Sequence, residues 1–270
     1  SQISRAWIFL FFFVSGATGL IYEVVWTRLL TQIMGNTHYS IATVLTAFMG
    51  GLALGSFFGG KIIDRAFNPL AAYAILEAGI GIYCLLIPSF IELAFPLFQW
   101  VYLNLGDSYT QTSLVRFLVC GVLLVIPATF MGATLPVLSK FVSSDENYIG
   151  KDVGTLYSIN TFGAVVGACT SAFVFMRLLG VQTTIGVAAA ANIGIAVIIY
   201  LLFKPPLKEK LKYPTPVDKV PLLHKRELLI LLSFAVAGLI ALVYQMAWTR
   251  ILSLLMGSSV YAFSLILTVF

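Results

Sequence analysis

The feature that most constrains this chain is a series of apolar runs, each about as long as a lipid bilayer is thick. A helix that crosses the hydrocarbon core needs about 20 mostly apolar residues. Hydrophobic residues make up 60% of the 270 residues and charged residues 10%, and a soluble domain of this size cannot bury that much apolar side chain. Six complete runs are long enough to cross: 6–33, 39–62, 70–90, 114–138, 153–179 and 183–203. We therefore predict an all-α, polytopic transmembrane bundle.

Two more apolar runs follow a hydrophilic stretch near the C-terminus. Residues 228–255 form a seventh run, and an eighth begins at Ser258 and has only 13 residues by Phe270, too few to cross a bilayer. The hydrophilic stretch is rich in Lys and Pro, which predicts an extended tether at the membrane surface. The predicted domains are a six-helix transmembrane half at 1–203, a cytoplasmic linker at 204–226 and the start of a second repeat at 227–270. We expect the remainder of the bundle, or another membrane subunit, as a partner.

The basic residues are distributed unevenly between the two sides of the predicted bundle. If the spans alternate from an N-terminus in the cytoplasm, 12 of the 16 Lys and Arg residues fall on the cytoplasmic side, seven of them in the linker 204–226. This is the bias that the positive-inside rule describes. We therefore predict a multi-pass protein of the cell (inner) membrane with a cytoplasmic N-terminus and the lipid bilayer as its surroundings. The distribution of the basic residues behind the net charge of +5 is explained by this topology. We therefore expect no nucleic-acid partner.

A short sequence motif occurs twice in the chain and indicates an internal repeat. The triplet Trp-Thr-Arg stands at 26–28 and again 222 residues later at 248–250. Further residues match at the same offset: Gly16 and Gly238, Tyr22 and Tyr244, Met34-Gly35 and Met256-Gly257, and Tyr39 and Tyr261. Six helices, a linker and then the first helices again is the layout of a transporter built from two parallel six-helix halves. The chain is predicted to hold the first half and the first helices of the second.

Small residues in two of the runs predict that helix backbones approach each other closely. Four of them recur at every fourth position in the second run: Ala47, Gly51, Gly55 and Gly59. Gly163 and Gly167 have the same spacing in the fifth run. Such a stripe on one helix face lets a neighbouring backbone pack against it.

Four segments carry a resemblance to a known family. They are SGATGLIYEVVWTRLL (15–30), TAFMGGLALGSFFGGKIIDR (46–65), MGATLP (131–136) and LYSINTFGAVVGA (156–168). The end of the second segment, from Gly60 to Arg65, resembles half of the signature loop of the major facilitator superfamily, although the glycine and basic pair that follow in that family are missing here. Together the segments resemble the membrane part of fused facilitator and spermidine-synthase-like proteins. The resemblance implies a facilitator-like six-helix half followed by the first helices of a second repeat.

The resemblance also implies a soluble aminopropyltransferase domain, which moves an aminopropyl group from decarboxylated S-adenosylmethionine to a diamine. These 270 residues contain no catalytic motif of that kind, since the nearest glycine pair, Gly79 and Gly81, lies inside an apolar run instead of after a strand. We therefore expect catalysis only in a longer parent chain. We also expect no cofactor and no metal site, because His38 and His224 have no Cys or carboxylate at ligand spacing.

Glu23 is the residue that most invites a functional interpretation. At about 1.5 Å per residue, the stretch from Arg5 to Trp26 is roughly 31 Å long, about one hydrocarbon thickness, which puts Trp26 and Arg28 at the outer interface. Glu23 then lies about one turn inside the apolar zone, where an acidic side chain is costly and is a functional hypothesis by default. Its counterpart in the second repeat is Gln245.

Aromatic residues accompany this position in both copies of the repeat. If the two copies face each other, four rings would surround the Glu23 carboxylate: Tyr22, Trp26, Tyr244 and Trp248. A carboxylate with aromatic walls suits an organic cation such as a polyamine. By the same depth count, Asn160 and Asn192 lie near the midplane and are further candidate binding residues, while Glu77 lies about 10 Å from the cytoplasmic end of its helix.

Two functions remain open at this point. In the first, the chain binds or translocates a polyamine-like cation, with Glu23 as its counter-charge. In the second, the chain is a non-transporting anchor or scaffold for a synthase-like domain or a larger membrane complex. Glu23 would then pair with Arg28 or Arg250, or stay protonated, and would only hold helices together.

Overall fold

The computed structural model describes residues 5–35, 37–63, 68–104, 109–142, 149–206 and 225–270, and these are almost entirely helical. The helices are α1 (Arg5–Met34), α2 (Thr37–Ile63), α3 (Pro69–Asn104), α4 (Tyr109–Val142), α5 (Ile149–Thr170), α6 (Arg177–Phe203), α7 (Lys225–Met256) and α8 (Ser259–Val269). A π-helical segment, Ser171–Met176, connects α5 to α6. The all-α prediction is confirmed. Helices satisfy their backbone hydrogen bonds internally, as an apolar surrounding requires.

Among the described residues, six helical segments are long and apolar enough to cross a membrane: Arg5–Met34, His38–Lys61, Pro69–Asn104, Gln111–Val142, Gly150–Phe203 and Lys225–Met256. The fifth of these has 54 residues, more than two membrane crossings require. Its backbone leaves the helical conformation at Gly180 (φ 78°, ψ 174°), a left-handed φ that glycine adopts without strain. The break lies between the fifth and sixth predicted runs, which end at 179 and begin at 183.

The helices pack in pairs around α1. This helix contacts α2, α4, α5 and α6, while α2 lies along α4, and α3 lies along α4 and α6. The predicted small-residue stripes lie at the closest approaches. A Cβ at Gly55 would overlap the Thr129 carbonyl oxygen of α4, and one at Gly163 would overlap the backbone of Phe13 in α1. The prediction of close backbone packing at these glycines is confirmed.

The two copies of the repeat end their first helix in the same way. Gly35 (φ 65°) and Gly257 (φ 68°) each follow the last residue of a helix, and both glycines adopt the left-handed backbone conformation. The Gly35 N–H donates to the Thr31 carbonyl at 3.1 Å, and the Gly257 N–H donates to the Ser253 carbonyl at 3.0 Å. The surroundings of the two helices differ, because α1 is buried along most of its length whereas α7 buries Gln245 and Thr249 and is otherwise open.

Some predictions fall outside the described residues. These are most of the linker, at 207–224, and the end of the facilitator-like loop, at 64–67. The facilitator-like layout, the domain boundaries and the orientation of the N-terminus stay predictions.

Candidate functional site

Glu77 of α3 is fully buried and is held by side chains from two other helices. Its exposed fraction is 0%. The Ser15 hydroxyl of α1 donates to Glu77 Oε1 at 2.6 Å, and the Asn192 amide of α6 donates from Nδ2 to Glu77 Oε2 at 2.5 Å. The hydroxyl of Tyr73, one turn earlier on α3, lies near the same carboxyl but is buried without a hydrogen-bond partner among the described residues. Both carboxyl oxygens of Glu77 are therefore satisfied, and they tie three helices together.

Tyr22 extends this network along α1. Its hydroxyl donates to Asn192 Oδ1 at 3.1 Å, so the Asn192 amide connects Tyr22 to Glu77. The Tyr22 ring stacks on Trp26, with ring centroids 5.7 Å apart and planes inclined by 16°, and Trp26 in turn meets the Phe48 ring edge-on. The structure thus joins Asn192 to Tyr22 and Trp26, two rings that the sequence analysis grouped together without it.

Glu77 and Asn192 lie at the same depth in the bundle, which the sequence interpretation did not indicate. Glu77 lies eight residues from Pro69, Ser15 lies ten from Arg5, and Asn192 lies eleven from Phe203. These separations are about 12, 15 and 17 Å of helix, roughly half a hydrocarbon thickness. The sequence analysis put Glu77 near one end of the bundle and Asn192 at its middle. Their hydrogen bond places the two at the same depth.

Glu23 differs from Glu77 in the hydrogen bonding of its carboxyl. Its exposed fraction is also 0%, but neither carboxyl oxygen has a hydrogen-bond partner among the described residues. The nearby hydroxyl of Thr27 donates to the backbone carbonyl of Glu23 at 3.0 Å and so does not serve the carboxyl. The indole N–H of Trp26, one turn further along, is also buried without a partner. Arg28 is exposed, and the alternative in which an arginine pairs with Glu23 is not observed within the described helices.

The second copy of the repeat presents its residues differently. Gln245 is buried, and its Nε2 has no hydrogen-bond partner among the described residues. Tyr244 is 56% exposed and Trp248 is 51% exposed, whereas Tyr22 and Trp26 are both 0% exposed. The structure therefore brings the first pair of rings into the core and leaves the second pair half open. The contribution of Tyr244, Gln245 and Trp248 to a binding site stays a prediction.

Asn160 contacts the backbone of α1. Its Nδ2 donates to the Phe12 carbonyl at 3.0 Å, and its own backbone lies against Gly16. The described contacts therefore show Asn160 connecting α5 to α1, and a role in binding stays a prediction.

The Ser15–Glu77 contact was not anticipated from the sequence. A signal existed, since Glu77 is the single charged residue between Arg65 and Glu92. An isolated acid in an apolar run is expected to face the bundle interior and to find a polar partner.

Comparisons with known proteins give a distant similarity. No protein-family profile matches the chain, and no solved structure matches it. Polyamine aminopropyltransferase 1 of Streptomyces coelicolor is 25% identical over 202 residues, which cover 73% of this chain and 35% of the relative. Polyamine aminopropyltransferase 2 of the same organism is 27% identical over 195 residues, which cover 70% of this chain and 33% of the relative. The chain spans about a third of the length of these curated relatives.

Proposed function

We propose that this chain is the membrane module of a polyamine aminopropyltransferase-like protein and that it binds a polyamine-like organic cation at Glu23. In this proposal α1 to α6 form the first half of a facilitator-like bundle, and α7 and α8 begin the second half. The N-terminus lies in the cytoplasm, so that Glu23 lies near the outer mouth. The six membrane-length helices and the similarity to two aminopropyltransferases support this assignment.

The observation that carries the proposal is the unpaired carboxyl of Glu23. Nearly all buried polar atoms in proteins have a hydrogen-bond partner, yet both oxygens of Glu23 lack one among the described residues. An acidic side chain at the centre of a membrane helix costs about 2.5–3.5 kcal/mol on insertion scales, and one nearer the interface costs less. A cationic ligand would offset this penalty, because an ammonium group supplies a positive charge and up to three N–H donors.

The neighbouring rings favour an organic cation over a metal ion. Trp26 and Tyr22 stack beside the position of Glu23 on α1, and an ammonium group over an aromatic face gains about 0.5–2 kcal/mol. Calcium and magnesium ions require several oxygen ligands, but the described residues contain no cluster of three or more His, Cys, Asp or Glu side chains. Both relatives are polyamine aminopropyltransferases, which is why we propose a polyamine-like cation.

A second candidate function, a non-transporting anchor, rests on the Glu77 network. Glu77 is satisfied by Ser15 and Asn192, so this acid stabilises the bundle without a ligand. The close backbone contacts at Gly55 and Gly163 also favour the anchor function, since they hold α2 against α4 and α5 against α1. A rigid module of this kind suits a membrane anchor for a synthase-like domain.

Equilibrium binding of radiolabelled spermidine to the purified chain in detergent tests the proposal. The variants are Glu23→Gln and, as a matched control, Glu92→Gln, which changes an exposed carboxyl on α3. A charge-assisted hydrogen bond contributes about 1.5–3 kcal/mol. We therefore expect Glu23→Gln to weaken binding about 10-fold or more and Glu92→Gln to leave it within about twofold.

Thermal unfolding of each variant in the same detergent shows whether it is folded. Equal spermidine affinity in the wild type and in Glu23→Gln would refute the site at Glu23. If the folded wild type binds no spermidine, the anchor function is supported instead. Uptake by proteoliposomes then separates binding from transport, because the anchor function predicts no flux in any variant.

A further inference from the structure

A cavity lined by two arginines lies near the C-terminal end of α1. It has a volume of about 280 Å³, and its walls come from α1, the π-helical segment, the start of α6 and the start of α8. Arg28 and Arg177 both line it. This cavity is separate from the Glu77 network, which lies deeper in the bundle, and none of its lining residues belongs to that network.

The charge of this cavity is uncompensated by its own walls. Arg28 and Arg177 are 149 positions apart in the chain, so the fold places the two like charges around one space. None of the described residues that line the cavity is acidic. Two guanidinium groups around one space repel each other, and an anion between them attracts both, which makes the total electrostatic interaction favourable. The planar donor fork of arginine matches the oxygens of phosphate and carboxylate groups.

The start of α8 forms part of the same wall. Ser258 and Tyr261 line the cavity. Ser258 precedes the helix in an extended conformation, and its side chain forms no capping hydrogen bond. The first N–H groups of a helix have no intrahelical acceptor, and the helix dipole is positive at this end. These donors therefore reinforce the field of the two arginines.

We propose that the Arg28–Arg177 cavity binds a phosphate group. Its volume is at the small end of ligand pockets, which favours a headgroup-sized ligand. Arg28 lies two residues beyond Trp26, at the depth that the helix length assigns to the membrane interface, which is where lipid phosphates lie. A lipid headgroup and free phosphate offer the same chemistry, and the experiment separates them. This site goes beyond the cation site at Glu23 and does not depend on it.

Native mass spectrometry of the delipidated chain in detergent measures the binding of three probes. The first is dioleoylphosphatidylglycerol, the second is dioleoylglycerol, which has the same acyl chains without phosphate, and the third is inorganic phosphate. The variants are Arg28→Gln, Arg177→Gln and their combination. The matched control is Arg250→Gln, because Arg250 is the repeat counterpart of Arg28, is exposed and does not line the cavity.

We expect the wild type to bind phosphatidylglycerol in preference to dioleoylglycerol. The double variant should weaken this binding about 10-fold or more, and Arg250→Gln should leave it within about twofold. If inorganic phosphate binds with the same dependence on Arg28 and Arg177 and phosphatidylglycerol does not, the site takes free phosphate. Both arginines are exposed, so the variants should fold, and the single variants make the same comparison if the double variant does not.

Two results would overturn the proposal. One is a wild type that binds neither phosphate probe above the level of dioleoylglycerol. The other is an Arg250→Gln variant that loses as much binding as the double variant, which would mean that the charge of the whole surface, and not this cavity, attracts the phosphate.

Discussion

Asn192 of α6 donates a hydrogen bond of 2.5 Å to Glu77 of α3 and so satisfies one oxygen of a carboxyl buried in the middle of the bundle. Ser15 satisfies the other oxygen. Glu23 is equally buried, but both its oxygens are unpaired among the described residues. The two acids therefore differ: Glu77 connects helices, whereas the carboxyl of Glu23 has no hydrogen-bond partner among the described residues.

The first prediction concerns Asn192. Replacing it with Leu removes a donor from Glu77 and an acceptor from Tyr22, and leaves both groups buried without that partner. Each unsatisfied group costs about 1–3 kcal/mol. We expect Asn192→Leu to lower the thermal unfolding midpoint in detergent by several degrees. Asn104→Leu is the control, because Asn104 is exposed at the end of α3, and an equal loss in both variants would contradict the network.

The second prediction compares the two buried acids by the same substitution. Glu77→Gln should destabilise the bundle by about 1–3 kcal/mol, because its amide offers one acceptor oxygen where Ser15 and Asn192 both donate. Glu23→Gln should leave the stability unchanged or raise it, since it removes a buried unpaired carboxyl. The thermal unfolding midpoints of the two variants without spermidine provide the comparison. Destabilisation by Glu23→Gln equal to that by Glu77→Gln would argue that Glu23 has a structural partner.

The third prediction concerns the packing of α2 on α4. A Cβ at Gly55 would overlap the Thr129 carbonyl oxygen, and overpacking of this kind typically costs about 1–3 kcal/mol. Gly55→Ala should therefore lower the unfolding midpoint. Gly50→Ala on the same helix meets nothing within 4 Å and should be neutral or stabilising by up to about 1 kcal/mol. If the two alanine variants unfold at the same temperature, α2 and α4 are not in close backbone contact.

The helices were predictable because their cause is local. The lengths of the seven longer apolar runs predicted membrane helices, and the gap between 179 and 183 predicted the break that the structure has at Gly180. The glycines at every fourth position predicted close packing for the same reason, because residues four apart lie on the same face of a helix.

The partners of buried polar groups were not predictable in the same way. Asn192 is 115 residues from Glu77, and nothing in the spacing of single helices indicates which of them become neighbours. The repeat suggested similar surroundings for Trp26 and Trp248, yet one is buried and the other half exposed. The reason is that α1 contacts helices on several sides, whereas α7 contacts mainly α8.

The most direct test of the cation site uses the fluorescence of Trp26. The chain has four tryptophans. Replacing Trp7, Trp100 and Trp248 with Phe keeps an aromatic ring at each position, including the candidate binding position 248, and leaves Trp26 as the single reporter, one turn from Glu23. We predict that spermidine changes its emission saturably and that Glu23→Gln in the same background abolishes the change. An emission unaffected by spermidine, or a response of equal size in Glu23→Gln, would contradict cation binding at this site.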